Sequence, residues 1–333
     1  MRAEPELLAR DAESLFWMAR YLERVENLAR LIDVAQSFES PGREAEAWSA
    51  LLSINADAER FAAADPAAHD PEAIRRFYLL DAQNPTSVPY CLAAARTNAR
   101  TLRSLISTEM WRQINMFHRF VSQITAADLD GDRLSRLCVR LRESVQAHTG
   151  ITEGTMYRGQ GWQFYTLGRL IERADQITRL LDIKYHILTP RGGETGKVVE
   201  TTQWYAVLRA AAGYQAFRQI SPARASIDDV VGFLLRDPSF PRSLLLCVRR
   251  IEAHLGDLSR LHHLRGLAGP LEQVEYLREF VFAAPTQRLL TSNLHEYLDQ
   301  VQVLLMALAA SLGRLYFRDW RPQPVPAMTE PYQ

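Results

Sequence analysis

Cysteine is scarce in this chain. Three residues in 333, with no C-x-x-C pair, leave nothing from which to build a disulfide framework and fit a reducing cytoplasm. Excess charge of either sign is also missing: 39 Lys+Arg balance 39 Asp+Glu, so no global field attracts nucleic acid or an anionic membrane. The longest apolar stretches, such as Val301 to Leu312, are too short and too interrupted to span a bilayer. The N-terminal stretch, with Arg2, Glu4, Glu6, Arg10 and Asp11, lacks the apolar core of a signal peptide. Eight histidines form no H-E-x-x-H and no helical Glu-x-x-His pair. Neighbouring His262 and His263 point to different sides of a helix. Gly192-Gly-Glu-Thr-Gly196-Lys197 has the wrong spacing for a P-loop, lacks the following Ser/Thr and follows no strand. The expectation is a cytoplasmic globular protein with no metal, no cofactor, no nucleic acid and no membrane.

Alternating strand patterns are missing too. Windows rich in Ala, Leu, Arg and Glu instead carry apolar residues at helical spacing. They predict helices over about 11–38, 43–63, 72–80, 87–106, 107–125, 131–157, 162–187, 200–218, 226–235, 242–264, 270–281 and 287–317. Ser40-Pro-Gly42, Asp65-Pro66, Asn84-Pro85, Asp130-Gly131, Ser221-Pro222 and Gly269-Pro270 punctuate them. The fold class is therefore all-α, a bundle of about 12 helices. Prolines between Arg321 and Pro331 make 319–333 a Pro-rich flexible tail.

What is present is a repeat. Residues 20–33 read R-Y-L-E-R-V-E-N-L-A-R-L-I-D, and residues 169–182 read R-L-I-E-R-A-D-Q-I-T-R-L-L-D. Arg20, Glu23, Arg24, Arg30 and Asp33 recur unchanged as Arg169, Glu172, Arg173, Arg179 and Asp182, while the apolar positions drift among residues of similar volume. At a second constant offset, Trp48-Ser-Ala-Leu-Leu52 matches Trp204-Tyr-Ala-Val-Leu208, and Pro85, Ser87 and Cys91 match Pro241, Ser243 and Cys247. A longer loop in the later half, Thr189 to Gly196, accounts for the difference in offset. This predicts an internally duplicated bundle with pseudo-twofold symmetry, 9–158 forming one half and 159–318 the other, in one body. Trp48 and Trp204 read as core, Cys91 and Cys247 as small buried residues, and Ser87 and Ser243 as helix N-caps.

On a helical wheel Arg20, Glu23, Arg24 and Asn27 cluster along one edge of the apolar face, as do Arg169, Glu172, Arg173 and Gln176. Three readings fit. The charges can form a solvated face of intrahelical ion pairs, each worth about 0.3–0.5 kcal/mol. They can form a buried Arg–Glu network, whose disruption costs about 3–5 kcal/mol. Or two such helices can meet at the pseudo-dyad, with Arg20, Arg24, Asn27, Arg169 and Arg173 holding a carboxylate or phosphate. In that case Glu23 and Glu172 would act as acid/base groups if burial raised their pKa.

Several segments carry a specific resemblance. They are Arg10 to Asn27, Ala95-Arg-Thr-Asn-Ala-Arg100, Glu109-Met-Trp111, Thr155-Met-Tyr-Arg158, Trp162 to Asp175, Gln203-Trp204 and Phe240-Pro-Arg-Ser243. With these motifs in order over nearly its whole length, the chain resembles the bacterial alpha-E family, all-helical domains with a Glu-Arg motif. The resemblance adds Arg96, Asn98, Glu109 and Arg158 to the ligand-binding candidates. Two positions depart from the pattern: Gly159-Gln160 stand where an acidic residue usually follows, and Arg96-Thr-Asn98 replaces the common Arg-Glu-Asn. If either acid has a role in relatives, this chain lacks it. The resemblance implies a pathway shared with circularly permuted ATP-grasp ligases and transglutaminase-like proteins, which would be the partners. The expected function is an accessory or binding component of ATP-grasp-linked peptide or amino-acid conjugation, with a peptide or small carboxylate as ligand. The alternative is an enzyme of that pathway using Glu23 or Glu172 as acid/base.

Overall fold

Two helices of 29 residues organise the chain in its computed structural model, which describes residues 7–37, 44–64, 70–188, 204–221, 226–283 and 294–318. In chain order the helices are α1 (Ala9–Ser37), α2 (Glu44–Ile54), α3 (Ala58–Ala64), α4 (Pro71–Leu79), α5 (Val88–Thr101), α6 (Thr108–Val121), α7 (Gly131–Thr155) and α8 (Gln160–Leu188). They continue with α9 (204–210), α10 (Tyr214–Ile220), α11 (Ile227–Arg236), α12 (Leu244–Arg260), α13 (Ala268–Ala283) and α14 (Leu294–Tyr316). No strand occurs among the described residues, so the all-α class holds.

The centre of the bundle follows from composition. α1 is buried around most of its circumference: Leu15, Phe16, Met18, Leu22, Val25, Ala29 and Ile32 are enclosed, and so are the polar Glu23, Glu26, Asn27 and Arg30. α8 is its counterpart, burying Phe164, Leu167, Leu170, Ile171, Ala174 and Leu181. These two make the most extensive helix–helix contact in the structure. They run in the same direction: Phe16 lies against Gly168, and further along both helices Arg24 meets Glu172. Gly168 permits this closeness, since a Cβ there would stand 2.2 Å from the Phe16 carbonyl oxygen. Around the pair, α5 and α7 pack on α1 while α12 and α14 pack on α8; α6 bridges α5 and α7, and α13 bridges α12 and α14.

Local chemistry sets many helix starts. Ser87 and Ser243 are N-caps as expected, accepting from Tyr90 N and Leu246 N at 3.2 Å each. Each hydroxyl also donates to the carbonyl six residues upstream, Asp81 or Asp237, at 2.5 Å. Asp70 caps α4 ahead of Pro71, and Ser226 with Asp229 forms a capping box on α11. Trp48, Trp204, Cys91 and Cys247 are buried in the core. Burial pushes the Cys91 and Cys138 thiols up to about 12 and Cys247 to about 11, so all three rest as protonated, inert thiols.

Two predicted helices are broken where their sequences are good helix formers. The helix expected over 43–63 splits at Ala56, and that over 200–218 splits at Ala212, both in the left-handed region at φ 54° and 56°. The break is a Schellman turn in each case. Asp57 N donates to Leu52 O and Ala56 N to Ser53 O; Gly213 N donates to Leu208 O and Ala212 N to Arg209 O. The predicted 107–125 helix stops at Val121, and Ala126–Asp128 adds a short 3-10 turn. The loop Thr189–Gly196, the P-loop-like stretch within it and its neighbour, and the tail 319–333 lie outside the described residues.

α14 corrects one expectation. By length and composition it is apolar enough to cross a membrane. Within the fold, however, Leu298, Val301, Leu305, Leu308 and Leu312 are buried, and the helix packs against α8 and α13.

Candidate functional site

Because α1 and α8 are enclosed on most sides, the charges of their repeated segments are enclosed too, and each needs a partner inside the protein. The partners are exchanged between the helices. Arg24 of α1 grips Glu172 of α8, with Nε to Oε1 at 2.7 Å and Nη2 to Oε2 at 3.1 Å. Arg173 of α8 grips Glu23 of α1 in the same two-pronged way, at 2.7 and 2.9 Å. Bidentate geometry of this kind is the strongest form of the arginine–carboxylate contact. Arg20 adds a third bond to Glu172, at 2.7 Å, with its guanidinium 4.9 Å from the Trp17 ring centroid. Gln176 donates to Glu172 at 3.3 Å. Glu23 and Glu172 are 2% and 0% exposed.

A second tier lies one turn further along. Arg30 donates to Glu26 at 2.5 Å and to the carbonyl of Ala210 at 2.9 Å. Arg179 repeats this arrangement with Asp175 at 2.7 Å and the carbonyl of Ile54 at 2.5 Å. Each arginine thereby ties its long helix to the C-terminal end of a short one, where unpaired carbonyls await donors. Arg242, from the turn before α12, completes the cluster. It donates to Glu23 at 3.2 Å, to Asn27 Oδ1 at 3.4 Å and, in a very short contact, to Glu26. Gln146 of α7 also donates to Glu26, at 3.3 Å.

The electrostatics follow from this surplus of cations. Burial alone would push the Glu23 carboxyl up, but the charges and bonds of Arg173 and Arg242 reverse that and bring it down to about 2. Glu172 is lowered too: burial opposes it, while Arg24 and Arg20 prevail. Arg24 and Arg173 are correspondingly raised, their carboxylate partners outweighing desolvation. Arg242 moves the other way, to about 10, because burial and the neighbouring Arg173 outweigh Glu26 and Glu23. The raised glutamate pKa that an acid/base role requires is thus not what this arrangement produces. Stability should respond to acid accordingly. Glu23 has a folded-state value below its ordinary 4.5, so its contribution is fully present above about pH 4.5 and is lost as pH falls through about 2. Thermal melts followed by circular dichroism should show a steep drop of the midpoint between pH 4.5 and 2; a flat midpoint across that window would contradict the pairing.

Of the residues named from sequence, Glu23, Glu172, Arg20, Arg24, Asn27 and Arg173 converge on this core. Arg169 lies at its edge: it is buried and donates to Glu153 of α7 at 3.0 Å. Arg158 shares Glu153 at 3.1 Å and stacks on Trp162 at 3.5 Å, so it is one carboxylate removed from the core. Arg96 is directed elsewhere, to Asn115 of α6 at 2.8 Å and the Trp111 face. Glu109 is exposed in the first turn of α6. Asn98 lines a groove of about 600 Å³ between α1 and α5, together with Trp17, Tyr21 and Tyr90. Arg242, Glu26 and Glu153 were not singled out. Arg242 stands in the Phe240-Pro-Arg-Ser243 segment, which was its one visible signal.

A cavity of about 20 Å³ opens beside the core, lined by Asn27, Arg30, Arg173, Gln176, Ala210 and Arg242 among others. At the far end of α8, Asp182 Oδ1 lies 2.8 Å from His295 Nδ1, and Asp299 Oδ2 lies 3.5 Å from His295 Nε2. These three could gather a metal ion by proximity. The sequence reading expected no metal and did not pair these residues.

The sequence has counterparts elsewhere. A family model described as a predicted alpha-helical domain with a conserved ER motif matches residues 7–317. An uncharacterized protein of Mycobacterium bovis and one of Mycobacterium tuberculosis are each 25% identical over 268 residues. A second M. tuberculosis protein, also uncharacterized, is 24% identical over the same length. The match covers 73% of this chain but 29% of each relative, so the chain spans under a third of the proteins it resembles. No solved structure matches.

Proposed function

This chain belongs to the Alpha-E family, and we propose that it is a cytoplasmic, non-catalytic binding component of a bacterial ATP-grasp-linked pathway for peptide or amino-acid conjugation. In this reading its arginine-rich core receives a carboxylate- or phosphate-bearing ligand. Its partners are a circularly permuted ATP-grasp protein and a transglutaminase-like protein. One observation carries the preference for binding over catalysis: Glu23 and Glu172 are saturated by arginines and held as carboxylates below their ordinary pKa. A general acid or base works best with a pKa near the working pH. Groups so tied down are suited instead to hold arginines in place. The greater length of the relatives fits a module that works beside other segments.

The test is reconstitution. The full chain should co-purify with the ATP-grasp protein of its own bacterium. It should also raise ATP-dependent consumption of a carboxylate substrate by that protein at least tenfold, while turning over neither ATP nor adduct alone. Absence of both binding and stimulation overturns the reading. Turnover of a peptide adduct by the chain alone, abolished in a folded Glu23→Gln variant, would transfer the assignment to an enzyme using that carboxylate.

A further inference from the structure

The second tier of the core is not charge-balanced. Around the cavity beside it, Arg30, Arg173 and Arg242 face two carboxylates, Glu23 and Glu26, so one positive charge is left over. The polar atoms left without partners there are donors. Asn27 Nδ2 and Arg30 Nε are buried and make no hydrogen bond, although Asn27 and Arg30 both line the cavity. Asn27 is 8% exposed and Arg30 6%. A buried donor without an acceptor is destabilising, and here two adjoin an uncompensated cation. A water molecule would serve the donors and leave the charge. An anion serves both.

The imbalance has a specific origin. The position matched to Arg242 in the earlier half is Thr86, whose hydroxyl donates to buried Asp57 at 2.6 Å. On that side Arg20 and Arg24 also outnumber Glu172 and are shielded about as well, at 13% and 15% side-chain exposure against 12% for both Arg173 and Arg242; what sets the cavity side apart is the orphaned donors of Asn27 and Arg30. Arg242 instead adds its charge next to Arg30 and Arg173, and both lower its pKa by repulsion. A cavity of about 20 Å³ has room for one particle the size of a water molecule.

We propose that the cavity between Asn27, Arg30, Arg173 and Arg242 is a binding site for one small monovalent anionic acceptor, a free halide or one carboxylate oxygen of a larger ligand. This rests on the binding role proposed above and specifies where and what the core holds. The occupant accepts from Asn27 Nδ2 and Arg30 Nε and neutralises the third guanidinium.

The test uses the full chain, with thermal unfolding followed at constant ionic strength as sodium methanesulfonate, whose bulky head is not a carboxylate, is exchanged for chloride, bromide or acetate. A saturable rise of the midpoint by about 2–4 °C is expected. Chloride and bromide acting without acetate identify a halide; acetate acting as well identifies a carboxylate terminus. Two variants separate a site from a general salt effect. Asn27→Asp places a carboxylate in the cavity, so it should melt higher than wild type in methanesulfonate and lose the anion response. Arg242→Met removes the surplus charge while Arg173 and Arg30 still pair Glu23 and Glu26, so it should fold and also lose the response. No response in wild type, or an unchanged response in both variants, overturns the site. That result would be distinct from a failure to bind or stimulate the ATP-grasp protein, which would overturn the pathway reading and leave the site standing.

Discussion

Glu172→Gln should destabilise the chain by about 3–5 kcal/mol, the cost of removing one partner from a buried ion-pair network. The amide keeps the volume of the glutamate but loses the charge that Arg20 and Arg24 share. Both guanidiniums are mostly shielded from water and have no other acidic partner among the described residues, so two cations would be left desolvated. The contrast is Glu72→Gln on α4, whose bond to Arg76 joins two half-exposed side chains within one turn of helix. That change should cost no more than about 0.5 kcal/mol. Urea unfolding of the two variants, with unchanged slope, measures the difference directly. A loss under about 1 kcal/mol for Glu172→Gln would show that the crossed pairs are not what joins α1 to α8.

Gly168→Ala should be comparably severe, about 3 kcal/mol or more, for a steric reason. The added methyl would stand 2.2 Å from the Phe16 carbonyl oxygen and 2.9 and 3.1 Å from its carbonyl carbon and Cα. All three are main-chain atoms of a central helix, so no side-chain rotation can relieve the clash. α1 and α8 would have to separate, stretching the 2.7 Å bonds made one turn away. Overpacking of rigid cores is costly even where side chains can yield. Gly150→Ala and Gly154→Ala in α7 provide the internal control. Nothing lies within 4 Å of a Cβ at either site, so each should raise stability by about 0.5–1 kcal/mol. If Gly168→Ala behaves like them, the helices are not in contact at that point.

The helices were readable from apolar spacing because most bury a face, and the caps at Ser87 and Ser243 were readable from their place beside prolines. The charged repeat was readable as retention without drift. What spacing could not reveal was the direction of the bonds. Arg20 and Glu23 stand three apart and invite an intrahelical pair, yet both turn to the other long helix; Glu26–Arg30 and Asp175–Arg179 do pair along their own helices. The distinction depends on what lies opposite, which a one-dimensional pattern does not contain. Arg242 was missed for the related reason that a turn has no periodicity, and its matched position holds threonine. The breaks at Ala56 and Ala212 were missed because alanine favours helix; the turn geometry overrides that preference and places it at positive φ. Arg96 and Glu109 were named from family motifs, and their distance from the core follows from α5 directing Arg96 toward α6.

The crossed exchange of partners also bears on how the chain is made. Arg20, Arg24 and Glu23 of α1 find their partners at residues 172, 173 and 242, far later in the chain. During synthesis, at about 5–20 residues per second, α1 emerges long before its counter-charges exist. It must stay hydrated, or shielded by other factors, until α8 has left the ribosome. A chain ending between α7 and α8 would leave α1 permanently without those counter-charges.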